Sequence, residues 1–137
     1  MLVVLDTNII ISALLLPKSQ PARIVALWLE GKFTLLTAAL QIDELMRVTR
    51  YQKVRDRINP ALTGRLINEM RDLATIVDYL PIVNVSSDPD DNYLLAISSG
   101  GLADYLVTGD KKDLLTLKKY DGTAIISVAD FLKQTRF

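Results

Sequence analysis

A single carboxylate set between two apolar runs constrains this chain more than any other feature. Leu2 to Leu5 is wholly apolar. Asp6, Thr7 and Asn8 follow, and Ile9 to Leu16 is again apolar apart from Ser12. Four apolar residues ended by polar ones read as a buried parallel strand. Asp6 then falls at the carboxyl end of the first strand, the edge where open α/β sheets place their ligands. A solvated charge has little reason to sit there, so the other residues that meet Asp6 decide what the chain does.

The remaining segments alternate strands with helices, which predicts a three-layer α/β/α sandwich with a mainly parallel central sheet. Its 137 residues suffice for one domain with a proper core. A helix is expected from Asn8 to Leu16, stopped near Pro17. Ser19-Gln20-Pro21 starts a second that runs to Glu30, with Gly31 as its cap. Phe33 to Leu36 reads as the second strand, and Thr37 as the cap of a helix from Ala38 to about Arg50. Tyr51 to Arg57 extends that helix or forms a short one. Asn59-Pro60 opens an amphipathic helix over Ala61 to Ala74, with Leu62, Leu66, Ile67, Met70 and Leu73 inward. Thr75 to Val85 is an extended connection with one short strand, interrupted by Pro81. Asp88-Pro89 opens a helix that Gly100-Gly101 ends; a strand from Asp104 to Val107 and a single helical turn at Leu114-Leu115 follow. Thr123 to Ser127 is the last strand, and Ser127 with Asp130 resembles a capping box for the terminal helix.

The composition excludes several kinds of chemistry. The chain has no Cys and no His. Thiolate nucleophiles, disulfides, Ser-His-Asp triads and His- or Cys-ligated metals are therefore absent. Catalysis has to rest on carboxylates, hydroxyls, Lys, Tyr or a hard cation held by oxygen. Sixteen cations balance sixteen anions, which argues against a strong general attraction for nucleic acid but leaves local patches open. The longest early apolar run is too short to span a bilayer, and no basic leader precedes the first strand, so a cytoplasmic protein without a membrane segment is expected.

Several acids share the position of Asp6. Glu44 lies in the second turn of the helix after strand two. Asp90 and Asp91 lie in the first turn of the helix begun at Asp88. Asp110 follows the Tyr105 to Val107 strand, with Asp113 three residues on. In a parallel sheet these positions share one edge. Clustered carboxylates repel one another, and a divalent cation removes that penalty; oxygen-only donors select Mg²⁺ or Mn²⁺. Purely structural roles compete with this. Asp88 is placed as a cap, and Asp90 and Asp91 can favour the helix dipole. Asp43 has Arg47 at i+4 and takes a surface role. Glu44 can pair with Arg47, although its one-turn neighbours Leu40 and Val48 are apolar and suggest an inward face. Asp110 or Asp113 alone can be a turn residue. Asp6 is the hardest to explain structurally.

Taken together, these segments resemble the PIN-domain family of metal-dependent ribonucleases. The carriers are Leu5-Asp6-Thr7-Asn8 after an N-terminal strand, Glu44 in the helix after strand two, and Asp88-Pro89-Asp90-Asp91-Asn92 ahead of Leu94-Leu95-Ala96. The fourth is Ala103-Asp104-Tyr105-Leu106-Val107-Thr108-Gly109-Asp110 with Asp113-Leu114-Leu115. The set covers nearly the whole chain in order, and it is most similar to the VapC-type toxins of toxin–antitoxin systems. The resemblance implies an acidic Mg²⁺ or Mn²⁺ site that cleaves RNA, with Asp6, Glu44, Asp91 and Asp110 as catalytic ligands. Thr7, Asn8, Asp90 and Asp113 would be accessory. The third acid can slide between Asp90 and Asp91, and the fourth between Asp110 and Asp113. The implied partners are an RNA substrate, a protein antitoxin and a second copy in a homodimer.

Two cationic clusters suit RNA. Arg47, Arg50, Lys53, Arg55 and Arg57 surround Tyr51, and Lys111, Lys112, Lys118 and Lys119 precede Tyr120. Such clusters hold phosphates and stack a base, or are simply solvated helix faces. Apolar surface on Ile9 to Leu16 and Ile24 to Leu29, including Trp28, is available for dimerisation, antitoxin docking or the core. The rival functions are a non-catalytic PIN-like module that binds RNA or a partner, a receiver-type regulatory domain and an Asp-nucleophile phosphatase. The receiver reading expects an acid pair after strand one, where this chain has Asp6 alone. The phosphatase reading expects a second aspartate two positions after Asp6, where this chain has Asn8.

Overall fold

Leu2–Leu5 forms β1, and Val3, Val4 and Leu5 are completely buried, as expected of a strand covered on both faces. The structure is a computed structural model that describes residues 1–109 and 112–137. In order, α1 (Thr7–Leu15), α2 (Gln20–Leu29), β2 (Thr34–Thr37), α3 (Ala39–Val48), α4 (Gln52–Arg55) and α5 (Pro60–Leu73) follow. Then come β3 (Thr75–Ile76), α6 (Pro89–Gly100), β4 (Tyr105–Thr108), α7 (Lys112–Leu117), β5 (Lys119–Tyr120), β6 (Thr123–Ser127) and α8 (Val128–Thr135). The sheet order is β3-β2-β1-β4-β6-β5, parallel except for the edge pair β5 and β6. β1 lies between β2 and β4, so its carboxyl end sits in the middle of one sheet edge.

The period of two along the strands sorts side chains into two cores. Val3, Leu5, Leu35 and Val107 join α1, α2, α3, α5 and α8 on one face, with Phe131 fully buried against Phe33 and Tyr105. Val4, Leu36, Leu106 and Ile125 join α6 and α7 on the other. The chain is therefore the expected three-layer α/β/α sandwich with a mainly parallel sheet.

The predicted helix starts largely hold. Ser19, Asn59, Asp88 and Ser127 each accept a backbone N–H of the following turn, and Gly31 takes a left-handed φ of +79° after α2. Other details differ. Thr37 ends β2 instead of capping α3; the cap position is Ala38, with no side-chain hydrogen bond, and the Thr37 hydroxyl goes to Gln41. Leu62 and Leu73 are 49% and 62% exposed, because only Thr63, Leu66 and Met70 lie fully on the inner stripe of α5. β5 was not anticipated. It pairs with β6 through Asp121-Gly122, where φ is +48° and +85°, the paired positive values of a tight primed hairpin turn.

Gly100 and Gly101 do close α6, but not by adopting a left-handed backbone. Gly101 has φ −94°, and the positive φ falls on Leu102 at 55°. The glycines are there for closeness. A Cβ on Gly100 would collide with the Tyr79 carbonyl oxygen, and one on Gly101 would lie 2.8 Å from Leu36 Cδ1. Among the described residues no single helix is long and apolar enough to cross a membrane. α1 and α2 together pass on length and composition, but they bend by 103° and their central residues belong to the core.

Candidate metal and phosphodiester site

Asp6 caps α1 and ends β1 at once. Its backbone N–H continues the ladder to Val107 O at 2.9 Å. One carboxylate oxygen accepts the Asn8 N–H at 3.1 Å, and the other accepts the Thr108 hydroxyl at 2.8 Å. The side chain is 2% exposed. Burying a carboxylate costs several kcal/mol unless it is compensated, and two donors set its direction as well as offsetting part of that cost. Thr108 is fully buried at the end of β4 and is a partner that sequence reasoning missed. Its signal was its register, since β1 and β4 pair with Leu5 opposite Val107.

Glu44 reaches the same edge from α3. The helix is anchored there by Gln41, which is fully buried. Gln41 Nε2 donates to Leu5 O at 2.8 Å and to Thr7 Oγ1 at 3.3 Å, while its Oε1 accepts from Thr37. Gln41 precedes Glu44 by three residues and so shares its face. This network ties the ends of β1 and β2 to the helix that carries the second acid. Thr7 therefore lines the cleft while its Oγ1 is held by the Gln41 amide. The apolar neighbours gave a misleading reason for Glu44 turning inward: Leu40 is 62% exposed. Glu44 is half-buried because it flanks the cleft.

Asp90 and Asp91 take different environments on the first turn of α6. Asp90 is exposed. With Asp6, Thr7, Asn8, Glu44, Tyr93 and Leu94 it lines a small cleft of about 50 Å³. Asp91 is 2% exposed, and one of its oxygens accepts from the Ser86 hydroxyl at 3.1 Å. Asn92 staples the preceding loop by accepting the N–H groups of Val85 and Ser86 and donating to Ser86 O at 2.7 Å. Asn92 is thus a loop anchor. Asp110 and Lys111 lie outside the described residues. Lys112 and Asp113 are exposed in the first turn of α7.

Tyr93 is the wall residue that the sequence reading did not single out. It lines the acidic cleft and a neighbouring 350 Å³ groove that also holds Leu40, Asp43, Arg47, Glu44 and Asp90. Burial pushes its phenol up to about 12, the Glu44 and Asp43 carboxylates add to this, and a backbone N–H of Gln41 offsets part of it. The folded phenol thus holds its proton more tightly than an unfolded tyrosine. The stability this contributes is present below about pH 10 and is lost as pH rises towards 12. Ultraviolet titration of the wild type against Tyr93→Phe is expected to show one tyrosine missing from the late, near-pH-12 component; loss from the pH 10 component instead would contradict this environment.

The donor set suits a hard cation. Every candidate ligand is an oxygen, and the cleft gathers Asp6, Glu44 and Asp90. Among the described residues no three acids stand close enough to grip one ion together. Mg²⁺ does not require this, because it keeps several waters and binds through one or two carboxylates. Of the cationic clusters, Arg47 and Arg50 line grooves that adjoin the acids, and Lys53 is exposed on α4. Lys118 and Lys119 instead lie at the β5 end of the sheet, two strands beyond β4. The apolar α1–α2 surface is mostly spent on the core, since Ile9, Ile10, Ile11, Ile24, Val25, Leu27 and Trp28 are buried; Leu16 and Leu29 remain exposed.

This fold and acidic edge are those of a PIN domain, and the chain belongs to the PIN-domain family, whose sequence profile matches residues 2–112. Members of the family are generally nucleases and generally bind Mg²⁺. The chain is also similar to Uncharacterized protein MJ1680 of Methanocaldococcus jannaschii, with 30% identity over 117 residues, which cover 85% of this chain and 74% of that protein. No solved structure matches it at a comparable level.

Proposed function

We propose that this chain is a metal-dependent endoribonuclease that hydrolyses RNA phosphodiester bonds and acts as the toxin of a cytoplasmic toxin–antitoxin pair. The observation that carries the nuclease reading is Asp6: a buried carboxylate, aimed by Thr108 and Asn8, in a cleft shared with Glu44 and Asp90. In this reading Asp6, Glu44, Asp91 and Asp110 make up the cation's acidic site, one or two of them bonding the ion directly and the others holding its waters, and Thr7, Asn8, Asp90 and Asp113 assist. Asp91 keeps the third place because a carboxylate buried at this sheet edge gains most from a nearby cation. Mg²⁺ or Mn²⁺ bound there supplies acidity to water and neutralises charge on the phosphoryl oxygens.

The protein's own groups do the rest. Thr108 and the Asn8 N–H prevent Asp6 from rotating. Asp90, exposed at the cleft, orients the attacking water and accepts its proton. Arg47 draws the phosphate towards the acids, and Tyr93, still protonated at neutral pH, offers a hydroxyl at the wall. Water attacks phosphorus in line as the P–O3′ bond breaks and the leaving 3′-oxygen takes a proton from solvent, so no covalent enzyme intermediate forms; as is similar across the family, the phosphate stays on the 5′ side of the released strand. Circular RNA tests the endonuclease reading. It should be opened with Mg²⁺ or Mn²⁺ and left intact with EDTA. Intact circles under both metals would overturn the reading in favour of a non-catalytic RNA- or partner-binding module.

Arg47, Arg50, Lys53, Lys111 and Lys112 are the proposed phosphate contacts. Reversing charge at Arg50 and Lys53 together should weaken RNA binding and lower the magnitude of its logarithmic salt slope by about 1.4, at roughly 0.7 per lost contact to a single strand. An unchanged slope counts against this patch. The toxin role predicts that induced expression arrests growth and that Asp6→Asn relieves the arrest. A protein antitoxin and a homodimer complete the reading.

A further inference from the structure

The cleavage chemistry leaves unused a 370 Å³ cavity between α3, α4 and α5. Met46, Ile58 and Ile67 make its walls apolar. Arg50, Arg55 and Arg71 line it as well, and among the described residues no acidic one does. Three guanidiniums sharing a cavity without a carboxylate repel one another, and an anion relieves this. One of them, Arg71, donates instead to the sulfur of Met46 at 2.9 Å. The hydroxyls of Thr49 and Thr63 are committed to the carbonyls of Leu45 and Asn59. The Asn68 amide and the guanidiniums are left to recognise a ligand edge.

The cavity is also joined to the acids. Met46 and Arg50 line both it and the shallow groove containing Asp43, Arg47 and Tyr51. Asp43 and Arg47 line the next groove with Glu44, Asp90 and Tyr93, and these three line the cleft of Asp6. From Glu44 the path follows α3 to Val48 and the turn to Arg50, about 9 Å at roughly 1.5 Å per residue. That is roughly two or three stacked nucleotides at about 3.4 Å each.

We propose that this cavity is a nucleotide pocket: it takes an unstacked base of the substrate strand a few nucleotides from the scissile phosphate, with Arg50, Arg55 and Arg71 holding the adjoining phosphate. A base has apolar faces for Met46 and Ile67 and a polar edge for Asn68, and guanidinium planes stack on bases. The volume lies in the range of small-ligand sites. The pocket, rather than the acidic cleft, then sets sequence preference. This rests on the nuclease reading only for the source of the nucleotide.

Gly64 provides the test. It sits within α5 at the cavity, and a Cβ there meets nothing within 4 Å, so a side chain can start there freely; Gly64→Leu, which suits the helix, is the variant chosen to occupy the space. Titration of the metal-free protein with each 5′-mononucleotide, followed by amide NMR, should shift Thr63, Ile67 and Asn68. Inorganic phosphate should shift them less, and Gly64→Leu should remove the response with a thermal midpoint at or above that of the wild type. In RNA oligonucleotides bound to the Asp6→Asn protein, an abasic site at one position should weaken affinity about tenfold, and Gly64→Leu should abolish that sensitivity.

Equal response to phosphate and nucleotide would reduce the cavity to an anion site and overturn the proposal. Response only to an acidic peptide with apolar anchors would assign it to a protein partner and overturn it too. Cleavage of RNA with a silent cavity would sink the pocket and leave the nuclease. Mononucleotide binding without any RNA cleavage would keep the pocket, as a free-nucleotide site, and sink the nuclease.

Discussion

Asp6→Asn is expected to lower Mg²⁺-dependent RNA cleavage by at least about 10³-fold while the fold and thermal midpoint stay close to wild type. The reasons for the two outcomes are separate. Asparagine keeps an oxygen for the Asn8 N–H, so the α1 cap survives, and its amide can donate to the Thr108 hydroxyl that formerly donated to Asp6. What it removes is a negative charge at the centre of the sheet edge. A cation contributes several kcal/mol to stabilising charge in the transition state, and about 4 kcal/mol corresponds to 10³ in rate. Circular dichroism and thermal melting check the fold, and single-turnover cleavage checks the chemistry. Turnover within tenfold of wild type would remove Asp6 from the site. The same assay separates its neighbours on α6. Asp91→Asn should approach the Asp6 effect, and Asp90→Asn should cost less, near the roughly 10²-fold low end of general-base catalysis. The reverse order would move the third ligand to Asp90.

The difference between those aspartates shows where sequence reading stops. The β1 apolar run, the cap-plus-proline starts at Ser19, Asn59 and Asp88, and the strand at β6 were legible because each depends on near neighbours. That Asp6, Glu44 and Asp90 share one cleft followed from a parallel sheet, which places strand ends and following helix starts on one edge. The buried supports were not legible. Gln41 satisfies Leu5 and Thr7 across 36 and 34 residues, and Thr108 reaches Asp6 across 102. A polar residue that finds its partner so far along the chain leaves no periodic trace. The exposure of Leu40 beside Glu44 misled for a related reason, since an apolar residue at a groove mouth has the same pattern as one in the core. Asp121-Gly122, by contrast, is a hairpin signal carried by near neighbours, since an Asp-Gly pair suits the two positive φ values of a primed turn.

Gly100→Ala should destabilise the protein by about 2 to 4 kcal/mol, more than most single substitutions, through overpacking rather than helix propensity. Its Cβ would collide with the Tyr79 carbonyl oxygen and sit 3.2 Å from Pro81 Cδ and Val77 Cγ1. The nearest obstacle is backbone and cannot swing aside like the end of a long side chain. Either the 77–81 segment or the end of α6 must move. In an open helical position the same change gains about 0.5 to 1 kcal/mol, and Gly64→Ala on α5, with nothing within 4 Å, is the matched control of opposite sign. Urea unfolding of both variants reads the difference directly. The consequence extends to the site, because α6 carries Asp90, Asp91 and Tyr93 at its other end and Leu95 and Ile97 in the second core. A helix pushed away from Val77 along its length would shift the acids relative to Asp6, so Gly100→Ala should lose cleavage beyond the fraction unfolded. Cleavage that tracks the folded fraction alone would show that the strain is absorbed in the 77–81 segment and that α6 keeps its seat on β1.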